Sequence, residues 1–224
     1  MFALKDLGRL TYFLGIQVHY LKSDFILNQA KYVKNLLHKL GLTDLKPAAS
    51  PCTVGKHLSI TNGQPLSDPY LFRSTIGALQ YLTHTRLDIA HIVNHLSKFL
   101  KAPTNIHWQA TKRVLRYISA TRHHGLLFQP NTDLQLTTFS DANWASNIDD
   151  RKSIAAYCVY VDNNLISWSS KKQTMVARSN TKSEYRVLAH AIAEIIWLKQ
   201  LMSELQIQTT YKPILWCDNI SVEL

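Results

Sequence analysis

Apolar and polar positions alternate most cleanly in residues 134–144, Leu-Gln-Leu-Thr-Thr-Phe-Ser-Asp-Ala-Asn-Trp. Leu134, Leu136, Thr138 and Ser140 fall on one side of an extended chain, and Gln135, Thr137, Phe139 and Asp141 on the other. A period of two with β-branched and aromatic residues predicts a strand. The strand is expected to end on Asp141, with Ala142-Asn143 as loop; from there an acid reaches a cation without being buried unpaired. Residues 10–20 also read as a strand, with Gly15 at a bulge or close backbone approach, and residues 25–27 as its hairpin partner. Tyr32, Val33, Leu36, Leu37 and Leu40 recur at helical spacing, which predicts a helix over 29–40 stopped by Gly41.

Residues 43–69 hold Pro47, Pro51, Pro65 and Pro69 with little apolar period, and read as an extended connector. Three helices are expected over 68–85, 87–100 and 104–120, the second ending before Pro103. In the first, Phe72, Ile76, Leu79, Gln80 and Leu82 point mostly inward. After a polar turn at 129–133 come the strand at Asp141, a turn at 149–152 and strands over 153–161 and 165–169. A tight turn at Asp162-Asn163-Asn164 joins those two. A basic loop over 170–179 leads to a helix over 181–205 that buries Tyr185, Leu188, Ala189, Ile192, Ile195, Ile196 and Leu201. A fourth strand, 213–217, again ends on a carboxylate, Asp218. The order implies an α/β (mixed α+β) fold: a helical region over residues 1–130, then a mixed sheet with a packed helix over 131–224.

Composition adds a partner class. Lys and Arg outnumber Asp and Glu by 25 to 15, a formal charge of +10, which points to an anionic partner such as nucleic acid; a merely soluble basic protein is the alternative. Between Arg86 and Gly125 seven cations face one carboxylate, Asp88. Lys112, Arg113 and Arg116 lie at helical spacing opposite Trp108, Val114, Leu115 and Ile118. Such a face suits phosphate contacts that fix position without reading sequence, or is simply a solvated helix face. His91 and His95 have the i, i+4 spacing of a metal pair but lack the Glu of the helical motif, so they read as surface or core histidines. Cys52, Cys158 and Cys217 are odd in number and far apart, with no disulfide or zinc spacing, which favours a reducing compartment. No apolar run approaches the ~20 residues of a membrane span, and the first residues lack a secretory cleavage pattern. An intracellular, soluble chain with no membrane partner is therefore expected.

The carboxylates carry the chemistry. If the strands ending at Asp141 and Asp218 are parallel neighbours, the helix between them is a crossover, and Glu184 in its first turn converges with both. Three such acids repel unless divalent cations are present. Two Mg²⁺ about 4 Å apart would hold an attacking water and stabilise the leaving oxygen of a phosphodiester. Each acid also has a structural role open to it. Asp141 could cap the Ala-Asn turn. Glu184 could complete a capping box in Thr181-Lys-Ser-Glu184. Asp218 could cap a helix starting at Asn219. Tyr160-Val-Asp-Asn163 resembles the Tyr-x-Asp-Asp of polymerase sites but reads as a hairpin turn.

The chain resembles the C-terminal part of the Pol polyprotein of Copia-type long-terminal-repeat retrotransposons. The resemblance rests on Lys5-Asp-Leu-Gly8, Tyr12-Phe-Leu-Gly-Ile16, Gly77-Ala-Leu-Gln-Tyr-Leu-Thr83, Thr85-Arg-Leu-Asp-Ile89 and Lys112-Arg-Val-Leu-Arg-Tyr117. In the second half it rests on Ser140-Asp-Ala-Asn-Trp144, Asp149-Asp-Arg-Lys-Ser153, Ile166-Ser-Trp-Ser-Ser-Lys-Lys-Gln173, Ser183-Glu-Tyr185 and Cys217-Asp-Asn219. It implies that residues 1–130 are the end of a reverse transcriptase palm with thumb and connection. Residues 131–224 would be a ribonuclease H-like domain, truncated after the fourth strand, that hydrolyses the RNA strand of RNA–DNA hybrids. Asp141, Glu184 and Asp218 match three of the family's metal-binding carboxylates, with two Mg²⁺ as cofactors. Lys112, Arg113, Arg116, Lys171 and Lys172 are the expected nucleic-acid contacts. The implied partners are the hybrid and the rest of the polyprotein, in the cytoplasm, within a virus-like particle, or in the nucleus. Leu87 stands where Pro is usual, and Ala155-Ala156 where a Gly often precedes the Tyr. The family's polymerase motif would lie before Met1, and its last strand and fourth carboxylate beyond Leu224. The expectation is a cut or decayed piece with weak hydrolysis or none, or a non-catalytic nucleic-acid-binding remnant using the basic 86–125 segment.

Overall fold

The computed structural model describes residues 6, 8–53, 55, 58–130, 133–209 and 211–218. In chain order the elements are strands β1 (Tyr12–Phe13), β2 (Ile16–Tyr20) and β3 (Phe25–Asn28), helices α1 (Ala30–Lys39), α2 (Pro69–Leu82) and α3 (Leu87–Leu96), a 3-10 turn at Ser97–Phe99, and helix α4 (Asn105–Ala120). Then follow strands β4 (Gly125–Phe128), β5 (Leu136–Asn143), β6 (Ile154–Val161) and β7 (Asn164–Lys172), helix α5 (Asn180–Glu204) and strand β8 (Ile214–Cys217). The fold is mixed α+β. One sheet runs β1-β2-β3-β4 and the other β7-β6-β5-β8.

The first sheet departs from the expected single strand over 10–20. Leu14 and Gly15 both take left-handed backbone, φ 45° and 77°, and turn the chain into a β1–β2 hairpin with Phe13 opposite Ile16. Two such residues make the turn whose twist matches paired strands. Gly15 is also the expected close approach: a Cβ there would lie 3.2 Å from the Tyr81 ring, whose hydroxyl donates to the Leu14 carbonyl. Strand β4, which pairs antiparallel with β3, carries no sequence signal because four residues after a helix are too few to show a period. Its first residue must be glycine, since a Cβ on Gly125 would collide with the Leu27 carbonyl oxygen.

The helical layer forms where the spacing predicts it. Asp68 accepts the Leu71 N–H at 3.1 Å ahead of Pro69, and Thr104 with His107 forms a capping box at α4. Phe72, Ile76, Leu79, Leu82, Ile89, Val93, Leu96, Val114, Leu115 and Ile118 are fully buried together. The helix expected over 87–100 ends early: after Leu96 the chain tightens into the 3-10 turn, which stacks Phe99 on the His107 ring at 3.8 Å. Arg86 is 3% exposed and pairs with Asp88 at 2.7 Å while donating to the Thr121 carbonyl at 2.9 Å, tying the start of α3 to the end of α4. Burial alone would raise the Asp88 pKa, but hydrogen bonds from Arg86 and Tyr117 outweigh it and hold the carboxyl below its usual range.

In the second sheet β5 lies antiparallel to β6 and parallel to β8. Alternate residues of β5, from Leu136 to Ala142, are buried, as the period of two requires. β5 runs on to Asn143 because β6 pairs with it as far as Ile154. Likewise β7 extends to Lys172, opposite Ile154, through part of the expected basic loop. Tyr160 and Val161 end β6 and Asp162-Asn163 make the hairpin turn to β7, with the Asp162 carboxylate accepting the N–H groups of Leu134 and Gln135.

Helix α5 corrects the sequence reading. Its buried side is Ser183, Glu184, Val187, Ala191, Ile195 and Leu198. Of the expected stripe, Ile195 is inside, whereas Ile192 and Ile196 are 44% and 61% exposed and Tyr185 and Leu201 are also exposed. The helix carries apolar residues on two stripes, and docking on β5 buries the less conspicuous one.

The two halves of the chain touch. Asn94 in α3 donates to the Ser170 carbonyl on edge strand β7 at 2.6 Å, and Trp168 Nε1 to the Thr83 carbonyl at 3.1 Å. Asp149 accepts the Ser59 hydroxyl at 2.5 Å and the Ile60 N–H at 3.3 Å. Residues 131 and 132 of the expected interdomain turn and the helix expected from Asn219 lie outside the described residues.

Because Gly125 admits no Cβ, Gly125→Val should detach β4 from β3 and lower stability by about 1–3 kcal/mol, the usual range for overpacking. The midpoint of urea unfolding would show it, with Gly77→Ala, where the added carbon meets nothing, as the tolerated control.

Candidate metal centre

The register of the parallel pair places the first two acids. Ser140 of β5 lies opposite Cys217, the last residue of β8, so Asp141 within β5 and Asp218 just past β8 occupy the next position along. Both are exposed. Asp141 lies within β5, opposite Ala156 of β6, and is neither the end of the strand nor the cap of a turn.

The third acid comes from α5. This helix begins two residues earlier than Thr181 would have it, with the Ser179 hydroxyl accepting the Lys182 N–H at 3.2 Å. Glu184 therefore sits beyond the capping position, and the capping box does not form. Instead Glu184 is 3% exposed and receives the Ala142 N–H beside Asp141. Its Oε2 is buried with no hydrogen-bond partner. A buried, half-satisfied carboxylate is costly unless it is neutralised by a proton or a cation. Burial first, then the charges of Asp218 and Asp141, push the Glu184 pKa up to about 7.

One ligand atom each from Glu184, Cys217 and Asp218 lies within 4.8 Å of the others. The structure thus brings Glu184 and Asp218 together directly, and Asp141 within electrostatic reach of Glu184. Cys217 is the member missed in the sequence, where three scattered cysteines gave no metal spacing; only its place before Asp218 pointed to it. An orphaned buried oxygen, clustered carboxylates and hard oxygen donors fit a divalent cation such as Mg²⁺.

The expected nucleic-acid contacts are distributed differently. Arg113 donates to the Ser50 carbonyl at 3.1 Å, and Arg116 to the carbonyls of Lys46 at 2.6 Å and Pro47 at 3.2 Å. Both guanidinium groups hold the connector. Lys172 pairs with Asp150 at 2.6 Å, while Lys112 and Lys171 are exposed. Lys98 Nζ is buried without a hydrogen-bond partner; burial, with Lys172 nearby, brings its pKa down to about 8. His91 and His95 form no metal group among the described residues. Burial, helped by Lys98 and His91, lowers the His95 pKa to about 4; His95 is a half-buried packing group and His91 an exposed one.

No family model and no solved structure matches the chain. Curated proteins do, among them polyproteins of transposons. The chain is similar over nearly its whole length to retrovirus-related Pol polyproteins of transposons, of whose own length it spans less than a fifth. It is 41% identical over 219 residues to the Pol polyprotein of transposon RE2 of Arabidopsis thaliana, which covers 98% of the chain and 15% of that polyprotein. An uncharacterized mitochondrial protein of the same plant, AtMg00810, is 41% identical over 196 residues, 88% of the chain and 81% of its own length. The Pol polyprotein of transposon TNT 1-94 of Nicotiana tabacum is 34% identical over 234 residues, again 98% of the chain and 17% of the polyprotein. Among the described residues no helix is long and apolar enough to cross a membrane.

The raised Glu184 pKa has a sign that can be measured. A carboxyl whose pKa rises from 4.5 to about 7 on folding keeps its proton in the folded state while the unfolded chain has lost it. The folded state is then favoured below the unfolded pKa, and this contribution declines as pH rises to the folded value. The melting temperature in chelator should fall between about pH 4.5 and 7, and Glu184→Gln should flatten that slope.

Proposed function

We propose that residues 131–224 form a ribonuclease H-type domain that hydrolyses the RNA strand of RNA–DNA hybrids with two Mg²⁺. On this reading residues 1–130 are the end of the reverse transcriptase palm with thumb and connection. The observation that carries it is the approach of Glu184 to Asp141 and Asp218 across the β5–β8 pair, with a buried carboxylate oxygen lacking any partner. The antiparallel β7-β6-β5 set joined in parallel to β8 through a helix supports the same reading.

Bound there, Mg²⁺ would supply an activated water and stabilise the departing oxygen. The residues' own part is positional. The β5–β8 register fixes the separation of Asp141 and Asp218, and Ala142 N–H orients one oxygen of Glu184, leaving the other buried without a partner. Ionisation of Glu184 above about pH 7 completes the anionic set. Lys112 and Lys171, the exposed cations, remain available for phosphates, while Arg113 and Arg116 contribute charge from fixed positions along the connector.

A labelled RNA–DNA hybrid incubated with the chain and Mg²⁺ should lose its RNA strand while single-stranded RNA survives. Asp141→Asn and Glu184→Gln should each reduce cleavage to background. Intact hybrid at stoichiometric protein would leave the second reading, a non-catalytic nucleic-acid binder. That binder would hold duplex or hybrid with an affinity falling steeply with salt and indifferent to Asp141→Asn.

Stability offers a test independent of turnover. At pH 8, Mg²⁺ at 100 times its dissociation constant should stabilise the chain by about 2.7 kcal/mol through binding to the folded state alone. Glu184→Gln should lose most of that gain, read as the shift in melting temperature with and without Mg²⁺.

A further inference from the structure

The carboxylate cluster contains a donor that magnesium chemistry does not use. Cys217 is half-buried and unpaired in any disulfide. One ligand atom each from this thiol, Glu184 and Asp218 lies within 4.8 Å of the others. Magnesium takes oxygen ligands, whereas a thiolate selects softer ions such as Zn²⁺. We propose that Glu184, Cys217 and Asp218 form a mixed oxygen–sulfur site for a soft divalent cation, Zn²⁺ or Cd²⁺, which displaces magnesium from the same carboxylates.

Three arguments support it. Zn–S bonds of about 2.3 Å and Zn–O bonds of about 2.0–2.2 Å place tetrahedral donors roughly 3.5 Å apart, so atoms already within 4.8 Å need only small side-chain rotations to close on the ion. Glu184 is 3% exposed and its Oε2 has no partner, so a buried acceptor on this group is already prepared for a cation. The fourth position of such a site can be taken by water or by Asp141, the neighbouring strand position. On binding, the Cys217 thiol releases its proton to solvent and the sulfur's electron pair coordinates the ion. No redox change is involved. A thiolate bond would tie the ion to one wall of the site and remove two carboxylates from magnesium, so a soft cation should act as an inhibitor.

The soft-metal site stands on the geometry alone; its competition with magnesium rests on the hydrolytic reading. The experiment is a Cd²⁺ titration of the whole chain, followed by the ultraviolet absorbance of the cadmium–thiolate bond. A variant with Cys52→Ser and Cys158→Ser should keep the band, and Cys217→Ser should abolish it. Glu184→Gln or Asp218→Asn should weaken Cd²⁺ binding at least ~10-fold, the scale on which shells of a metal site respond. The Cys217→Ser chain should keep its melting temperature and its stabilisation by Mg²⁺, which separates ligation from folding. Excess Mg²⁺ should lower the apparent Cd²⁺ affinity, and Zn²⁺ should suppress hybrid cleavage in the parent more than in Cys217→Ser. A band that survives Cys217→Ser, or one indifferent to Glu184→Gln and Asp218→Asn, overturns the site. A normal Cd²⁺ titration beside an uncut hybrid leaves the site standing and removes the hydrolytic reading instead.

Discussion

The candidate centre depends on the parallel pairing of β5 with β8. β7, at the far edge of the sheet, runs parallel to β5 and β8, so the chain leaving β7 must cross over the sheet before it can pair beside β5, and α5 is that crossover. The same geometry that requires the crossover places its first turns near the ends of both strands. Asp141, Glu184 and Asp218, far apart along the chain, are gathered by one topological requirement. A shift of one residue in this register would separate the aspartates and move Leu215 and Cys217 of β8 to the opposite face.

Glu184 shows that the arrangement is poised for charge compensation. In a chain without a ligand, a carboxylate this deeply buried is normally satisfied by a cation or several donors. Here burial first, then two negative neighbours, hold its proton up to about pH 7 against the single backbone N–H that favours the anion. The structural role that the sequence offered for it is taken by Ser179, which caps the helix two residues ahead of Thr181. With that alternative gone, Glu184 stands as a buried carboxyl between two other acids, with its charge left to a proton or a cation to neutralise.

The basic character of the chain is partly structural. Arg86 is buried between α3 and α4, Arg113 and Arg116 hold the proline-containing connector, and Lys172 pairs with Asp150. These groups still contribute to the long-range field that favours an anionic partner, but their geometry is committed to the protein. Contacts such as Asn94 to Ser170 and Asp149 to Ser59 then join the helical layer to the second sheet, so a ligand spanning both halves would meet a connected surface.

Much of this was legible in the residues themselves. The alternation in β5, the helical spacing of α1, α2 and α4, the Asp162 turn and the three acids all express local preference or a short period, which the chain carries wherever it folds. The β1–β2 turn at Leu14-Gly15 and the strand β4 were not legible: the first depends on backbone angles that a mixed apolar run does not advertise, and the second is too short to show a period. The side of α5 that would be buried was undetermined, because two apolar stripes compete and only contact with β5 separates them. The same holds for Cys217, which is chemically silent in the sequence and acquires neighbours only when β8 pairs with β5. Local periodicity thus named the elements and the acids, while the pairing of distant strands determined which side chains share a site, because that depends on register and docking between segments far apart along the chain.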